Sequence, residues 1–398
     1  MTYSPLHPDT LNDPFSIYQE LRLYHPVLWH KDLHAWILTK YDDCKLILSD
    51  HEKFTRNPSD LLGLGAQEPE DMTIQSHDPP HSTPLRQAIA ITIKKVDLEG
   101  ICKSSVDRLH NEIISCSEDG SFNFMLEVAA PVAINFACQL MGVPLISAKD
   151  YFPIYSRITE AMDSGLDPKK KRPGVEATAE LNKMITKSIP QAPPGSVIYE
   201  LFQDLKVQQM PPGYVRNTIS AMFNAAYSTA YASMGSFLNL ALNEHDLTNK
   251  IMDCPSLDAA VEELLRLTSP AQATMRFAAQ DLYIRDVLIK KTDMVIVLMA
   301  SANHDPERFD RPNEFNPNLH SIAHLSFGWG VHFCVGAIPA RAFLRHYLTQ
   351  LNQCVTSLEL AEKPQWENTV TLRCLKTLLL KKRKSDEHYM VSLENSAL

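Results

Sequence analysis

Three absences narrow what this chain can be. No apolar run is long and clean enough to cross a bilayer; the nearest, Val128 to Leu145, is interrupted by Pro131, Asn135, Gln139 and Pro144 and reads as a buried helix. Met1 to Pro14 is polar and carries prolines, unlike the apolar core of a signal peptide, so a cytoplasmic protein without a membrane anchor is expected. The eight cysteines, at 44, 102, 116, 138, 254, 334, 354 and 374, form no CxxC pair. That spacing favours reduced thiols over a disulfide framework. Basic excess is also missing. The net charge is −9, which gives a nucleic-acid role no support. The one basic run, Lys169 to Arg172, lies between Pro168 and Pro173 and reads as a solvated loop. No internal repeat or interdomain linker is present, nor a fused flavin or iron–sulfur module. What remains, 398 residues with 44% hydrophobic and 21% charged, is the composition of an ordinary globular protein.

The chain opens with a short helix from Asp13-Pro14-Phe15 to Arg22, then strands at Val27–Trp29 and Ala35–Thr39 and a helix from Cys44 to Leu48. Residues 57–77 hold prolines and glycines without a steady period and read as a long loop, a feature that is usually functional or disordered. Thr83 followed by Pro84 predicts a helix start, with Thr83 as cap and Arg86 in the first turn. Residues 122–141 and 147–164 read as helical, with Ser147 capping the second. Residues 168–194 read as loop-rich around a helix over 175–188. From Gly213 to Glu244 there is no proline, so a helix of about 30 residues would span about 45 Å. Its abundance of Ala, Ser, Thr and Gly suits close helix packing or a flat ligand lying on it. A helix over 258–267 sets Glu263 and Arg266 three apart on one face. A hairpin is expected at 281–290, a strand at 294–299, a helix from Ala337 to Leu348 and a closing hairpin at 372–382.

The densest pattern is Phe327-Gly328-x-Gly330-x-His332-x-Cys334-x-Gly336. Glycines permit left-handed or close-approach backbone, so this loop can hold a sulfur against a flat ligand with amides turned toward it. A following helix N-terminus favours a thiolate. A lone cysteine is more often a small buried hydrophobe. His332-x-Cys334 as half of a zinc site lacks a second ligand pair nearby.

The loop resembles the heme-ligand signature of the cytochrome P-450 superfamily in its soluble bacterial form, and motifs in family order extend the resemblance over residues 10–383. It implies a mainly α fold with small β-sheets (α+β). A single domain over 10–383 would hold heme b between the long central helix and the cysteine-loop helix, with residues 1–9 an N-terminal extension and 384–398 a tail. Cys334 would ligate iron, with Phe327, Gly328 and Gly336 shaping its loop. Arg86, Arg276 and His332 would hold the propionates. The family's histidine four residues before Arg86 is replaced by Ser82, with His81 one position early. Ala225-Ala226-Tyr227-Ser228-Thr229-Ala230 resembles the oxygen-activation motif. Thr229 keeps the hydroxyl, Ala226 replaces a glycine and Ser228 stands where an acid is expected. A serine is no proton reservoir near neutral pH. Glu263 and Arg266 match the structural Glu-x-x-Arg motif, but Leu319, with His320 beside it, occupies the place of the third partner, an arginine. The resemblance implies dioxygen activation with electrons from a separate ferredoxin and ferredoxin reductase, or a similar electron donor, in a monomer; Arg341, Arg345 and Lys95 are candidates to face an acidic ferredoxin, with ordinary surface charge as the alternative for each. The expected reaction is oxidation of an apolar or aromatic small molecule in natural-product biosynthesis. The alternatives are oxidative coupling or rearrangement without oxygen insertion, and a non-catalytic heme protein that binds ligand.

Overall fold

One proline-led helix sets the geometry. Pro212 sits in its first turn, where a missing amide costs little, and the helix runs unbroken to Asn243. Its 32 residues cover about 48 Å. Buried residues are continuous from Ala230 to Leu238, so this helix is packed on all sides rather than amphipathic. It contacts the helices Ala130–Met141, Lys171–Ser188, Leu257–Thr268 and Ala337–Leu351. The computed structural model describes residues 3–65, 68, 71–118, 120–244, 246–254, 256–317 and 323–383. Leu319, His320 and the tail from 384 lie outside the described residues.

The small residues of the long helix serve two purposes. Ala221, Ala225, Ala226, Ala230 and Ser233 line a cavity. Gly235 instead faces the core, where a Cβ would collide with the Met125 sulfur. On another side Tyr227 and Tyr231 stack with ring centroids 5.6 Å apart. They meet Tyr155 of the helix Ala148–Ala161 edge-on at 5.0 and 5.7 Å.

A five-stranded sheet flanks the helical body. Its strands are β1 (Val27–His30), β2 (Ala35–Leu38), β3 (Phe54–Thr55), β4 (Thr274–Ala278) and β5 (Met294–Val297), in the order β1-β2-β5-β4-β3. The β2–β5 pair is parallel, with Ala35 opposite Met294. The β4–β5 pair is antiparallel and sets Arg276 opposite Val295. This pairing carries Pro270 to Arg276 past the cavity wall.

Several boundaries differ from expectation. Ser82, not Thr83, precedes the helix Thr83–Ile93, and its side chain makes no capping bond. Residues 57–77 include one helical turn, Ser59–Leu62. The basic run is not all loop, because Lys171 and Arg172 begin the helix Lys171–Ser188. Pro173 is tolerated there since first-turn amides have no intrahelical partner. Residues 294–299 divide between β5 and a helical turn, Met299–Ala302. Residues 372–382 do not pair with themselves. Leu375–Thr377 pairs with Gln365–Trp366, while Leu379–Lys382 sits between Phe122–Asn123 and Leu358–Leu360. The shared apolar character of these strands hid the exchange of partners. Of residues 122–141, expected to be helical, Phe122–Asn123 is a strand. The broad expectations agree with the structure: the architecture is mainly helical with small sheets, all eight cysteines are free, and among the described residues no helix is long and apolar enough to cross a membrane.

Candidate active site

The cysteine loop is built by its own backbone. Gly328 and Gly330 have φ of 70° and 71°, the left-handed region that costs side-chain-bearing residues energy. Gly330 also passes close to the preceding layer, where a Cβ would lie 2.5 Å from the Leu48 carbonyl oxygen. The Gly336 φ is −87°, so it needs no left-handed freedom. A Cβ there would sit 3.7 Å from Cys334 Sγ, and its absence leaves the sulfur open. The Cys334 N–H donates to the Phe327 carbonyl at 2.9 Å, closing the turn. The helix Ala337–Leu351 begins just beyond. Burial pushes the Cys334 thiol up; the Gly336 N–H, Arg86 and Arg341 pull against that shift.

Cys334, Phe327, Gly328, His332 and Gly336 line one side of a cavity of about 380 Å³. Ala225, Ala226 and Thr229 of the long helix form another side. Thr229 Oγ1 donates to the Ala225 carbonyl at 2.8 Å, which leaves its lone pairs free to accept. Ser228 does not share that wall. Its Oγ is 3.5 Å from the same carbonyl and its residue is packed in the core.

Positive charge gathers at one end. Arg56, Arg86, Arg276 and His332 all line the cavity, and among the described residues lining it no Asp or Glu is found. Outside the lining, the Asp78 carboxylate accepts from His332 Nε2 at 2.6 Å, from the Arg56 backbone N–H at 2.9 Å and from the Thr55 hydroxyl. Burial pushes Asp78 up, but the His332 and Thr55 hydrogen bonds win and hold it at about 2. His332 is shifted down, because burial and the guanidinium neighbours outweigh Asp78. Burial, then Arg56, bring Arg276 down to about 9. Desolvated guanidinium groups in this number call for anions. A flat apolar body with two carboxylates and an iron seeking a soft ligand, which is heme, fits this donor set: thiol, cations and a wall of alanines.

Arg86, Arg276 and His332 are thus brought together as expected. Ser82 is not: it is fully buried, its hydroxyl has no partner, and it is absent from the cavity lining. Just before the helix and four places ahead of Arg86, its side chain faces the packed interior, not the void. Arg56 and Asp78 were missed. Asp78 stands in the Asp-Pro-Pro stretch, yet its task, tying down the Thr55–Asn57 turn, is a contact across more than twenty residues.

Behind the loop, Glu263 and Arg266 are fully buried and bidentate, at 2.7 and 2.8 Å. Arg266 also donates to the carbonyls of Asn303 and Pro312 at 2.8 and 2.6 Å and of Glu314 at 3.2 Å. The Asn316 N–H donates to Glu263 at 2.9 Å. Backbone groups thus complete the cluster, whose third side chain was expected to be missing.

Comparison with known proteins points the same way. The family model "Cytochrome P450" matches residues 239–369. The polyketide biosynthesis cytochrome P450 PksS of Bacillus subtilis is 27% identical, covering 92% of this chain and 95% of PksS. The cytochrome P450 monooxygenase PikC of Streptomyces venezuelae is 28% identical, covering 95% of this chain and 93% of PikC. The solved structure of PksS, 26% identical, superposes with a TM-score of 0.81 over 96% of this chain and 100% of that one. Over nearly its whole length the chain is similar to bacterial cytochrome P450s.

The arginines on the helix after the cysteine loop are engaged by carboxylates of this chain. Arg341 forks onto Glu262 at 2.6 and 2.9 Å and lies 4.5 Å over the Phe327 ring. Arg345 bridges Glu99 at 2.7 Å and Asp258 at 3.2 Å. Lys95 is exposed.

Proposed function

We propose that this protein is a P450 that oxidises an apolar or aromatic small molecule of the natural-product kind, using heme b ligated by Cys334 and electrons from a separate donor of the ferredoxin type. One observation carries the reading: a thiol and a set of under-neutralised guanidinium groups open on the same apolar cavity beneath the long helix. PksS is named for polyketide biosynthesis, and the 27%-identical 6-deoxyerythronolide B hydroxylase of Saccharopolyspora erythraea, matched over 83% of this chain and 86% of its own, for a hydroxylation. Both names support a natural-product substrate.

Bound heme supplies dioxygen activation, and thiolate ligation favours O–O cleavage. The protein supplies the rest. Cys334 is held by the Phe327 carbonyl and steadied as a thiolate by the Gly336 N–H. Arg86 and Arg276 neutralise carboxylates at the cavity's polar end, beside His332, whose Nε2 is tied to Asp78. Ile74, Val197, Met222 and Ala271 exclude water from an apolar substrate. Thr229, its own hydrogen committed to Ala225, accepts a hydrogen bond and so fixes a proton donor in the cavity. With Ser228 outside the lining, protons reach Thr229 from water or from the substrate itself. That feature motivates a second reading, oxidative coupling or rearrangement without oxygen insertion.

A reduced, carbon-monoxide-bound spectrum tests the ligation, since thiolate ligation gives a red-shifted Soret band and Cys334→Ala abolishes it. Product mass then separates the reactions. Gain of one oxygen supports insertion, and loss of two hydrogens supports coupling. No product from any ligand that shifts the iron spin state overturns both.

A further inference from the structure

Arg56 has no place in the family resemblance, yet it lines the cavity beside Arg276. Its Nη1 donates to the Gln75 carbonyl at 2.9 Å and its Nη2 to Thr274 Oγ1 at 2.6 Å. Its Nε is buried without a partner. Arg276 reaches the same Thr274 hydroxyl, at 3.3 Å. Two guanidinium groups therefore converge on one neutral oxygen, and Arg56 makes the site of Arg276 less favourable to positive charge. A buried N–H left unpaired is costly, and so is an unneutralised cation.

We propose that Arg56 and Arg276 form a carboxylate clamp joined at Thr274, and that its occupant is a heme carboxylate. Arg56 then takes the anchoring place that Ser82, turned into the core, does not fill. Charge counting selects the source. Arg56, Arg86 and Arg276 carry three positive charges, and Asp78 removes one. The two carboxylates of heme remove the other two, with His332 neutral. No charge is left over to hold an acidic substrate at this end, so the substrate's group near the clamp is uncharged. The clamp rests on the heme-thiolate reading.

The test uses the holoprotein and reads heme retention rather than turnover. Heme transfer to an excess of a heme-scavenging apoprotein is followed by absorbance for wild type, Arg56→Met and Arg56→Lys. The melting midpoint of each heme-free form is measured alongside. Loss of a charge-assisted hydrogen bond predicts release about tenfold faster for Arg56→Met, a smaller increase for Arg56→Lys, which keeps charge but not the fork, and no matching fall in the heme-free midpoint. Unchanged release overturns the clamp. An equal loss of stability with and without heme also overturns it, since Arg56 would then be only a tie between Gln75 and Thr274. If release is unchanged while long-chain carboxylates lose their spin-state shift, the bound carboxylate is the substrate's and the assignment to heme is wrong. Failure of the wild type to take up heme with a thiolate spectrum would sink the underlying functional reading instead, and is seen before any variant is made.

Discussion

Replacing Glu263 by methionine should unfold this protein's cysteine side first. Both members of the Glu263–Arg266 pair have no exposed side-chain surface, so the substitution leaves a guanidinium buried without its counter-charge. Breaking such a pair costs about 3–5 kcal/mol. The Asn316 N–H, 2.9 Å from Glu263, loses that bond too. The expected loss of about 4 kcal/mol is a large part of the roughly 5–15 kcal/mol that holds a typical domain together. The damage should travel, because Arg266 grips the carbonyl of Asn303, whose side chain holds the Leu325 N–H at 2.7 Å and the Ser326 hydroxyl at 2.9 Å. That is the entrance to the cysteine loop. Urea unfolding followed by circular dichroism gives the cost, and the reduced carbon-monoxide spectrum gives the surviving thiolate fraction. The double variant Glu263→Met/Arg266→Leu removes both charges but orphans three carbonyls, so it should stay destabilised by about 3–5 kcal/mol, well below the sum of the single changes. A single-variant cost under about 1 kcal/mol, typical of an exposed ion pair, would refute this account of the core.

Three further outcomes are expected. Burial alone would raise Glu262, but Arg341 and His324 hold it at about 2, below its usual 4.5; the unfolded chain therefore takes up the proton first as pH falls. The stabilisation is complete above about pH 5, disappears toward pH 2, and is worth about 2 kcal/mol after screening, so the melting midpoint of Glu262→Gln should converge on wild type as pH is lowered. Gly330→Ala places a Cβ at φ 71° and 2.5 Å from the Leu48 carbonyl; it should cost at least about 1–2 kcal/mol and broaden the thiolate Soret band, whereas Gly336→Ala should fold normally. Thr229→Ala should lower product formed per electron consumed by about tenfold or more and raise peroxide, with Thr229→Ser restoring most of the yield.

The elements whose local rules and global packing agree were readable from the chain. The long helix announces itself by its lack of proline and its small residues, and the cysteine loop by glycines whose spacing few other structures require. Glu263 and Arg266 could be placed on one face, but the carbonyls that complete their cluster come from 303, 312 and 314, and no pattern in those residue types reveals it. The closing strands were recognisable as strands, not as members of two sheets, because pairing partners are chosen by tertiary packing rather than by alternation.

The polar end of the cavity shows the same limit in sharper form. A motif aligns residues by number, while a ligand meets them by direction. Ser82 holds the expected number and the wrong direction, buried with its hydroxyl unmatched. Arg56 lies in no motif, yet the Asp78 carboxylate fixes its backbone from twenty-two residues away and β4 brings Thr274 to meet its guanidinium. The arginines on the surface follow the same reasoning. Arg341 and Arg345 stand on the helix that follows the cysteine loop, but Glu262, Asp258 and Glu99 already neutralise them. An acidic electron donor docking there must first compete with carboxylates of this chain, so electrostatic steering by these two arginines contributes little to its approach.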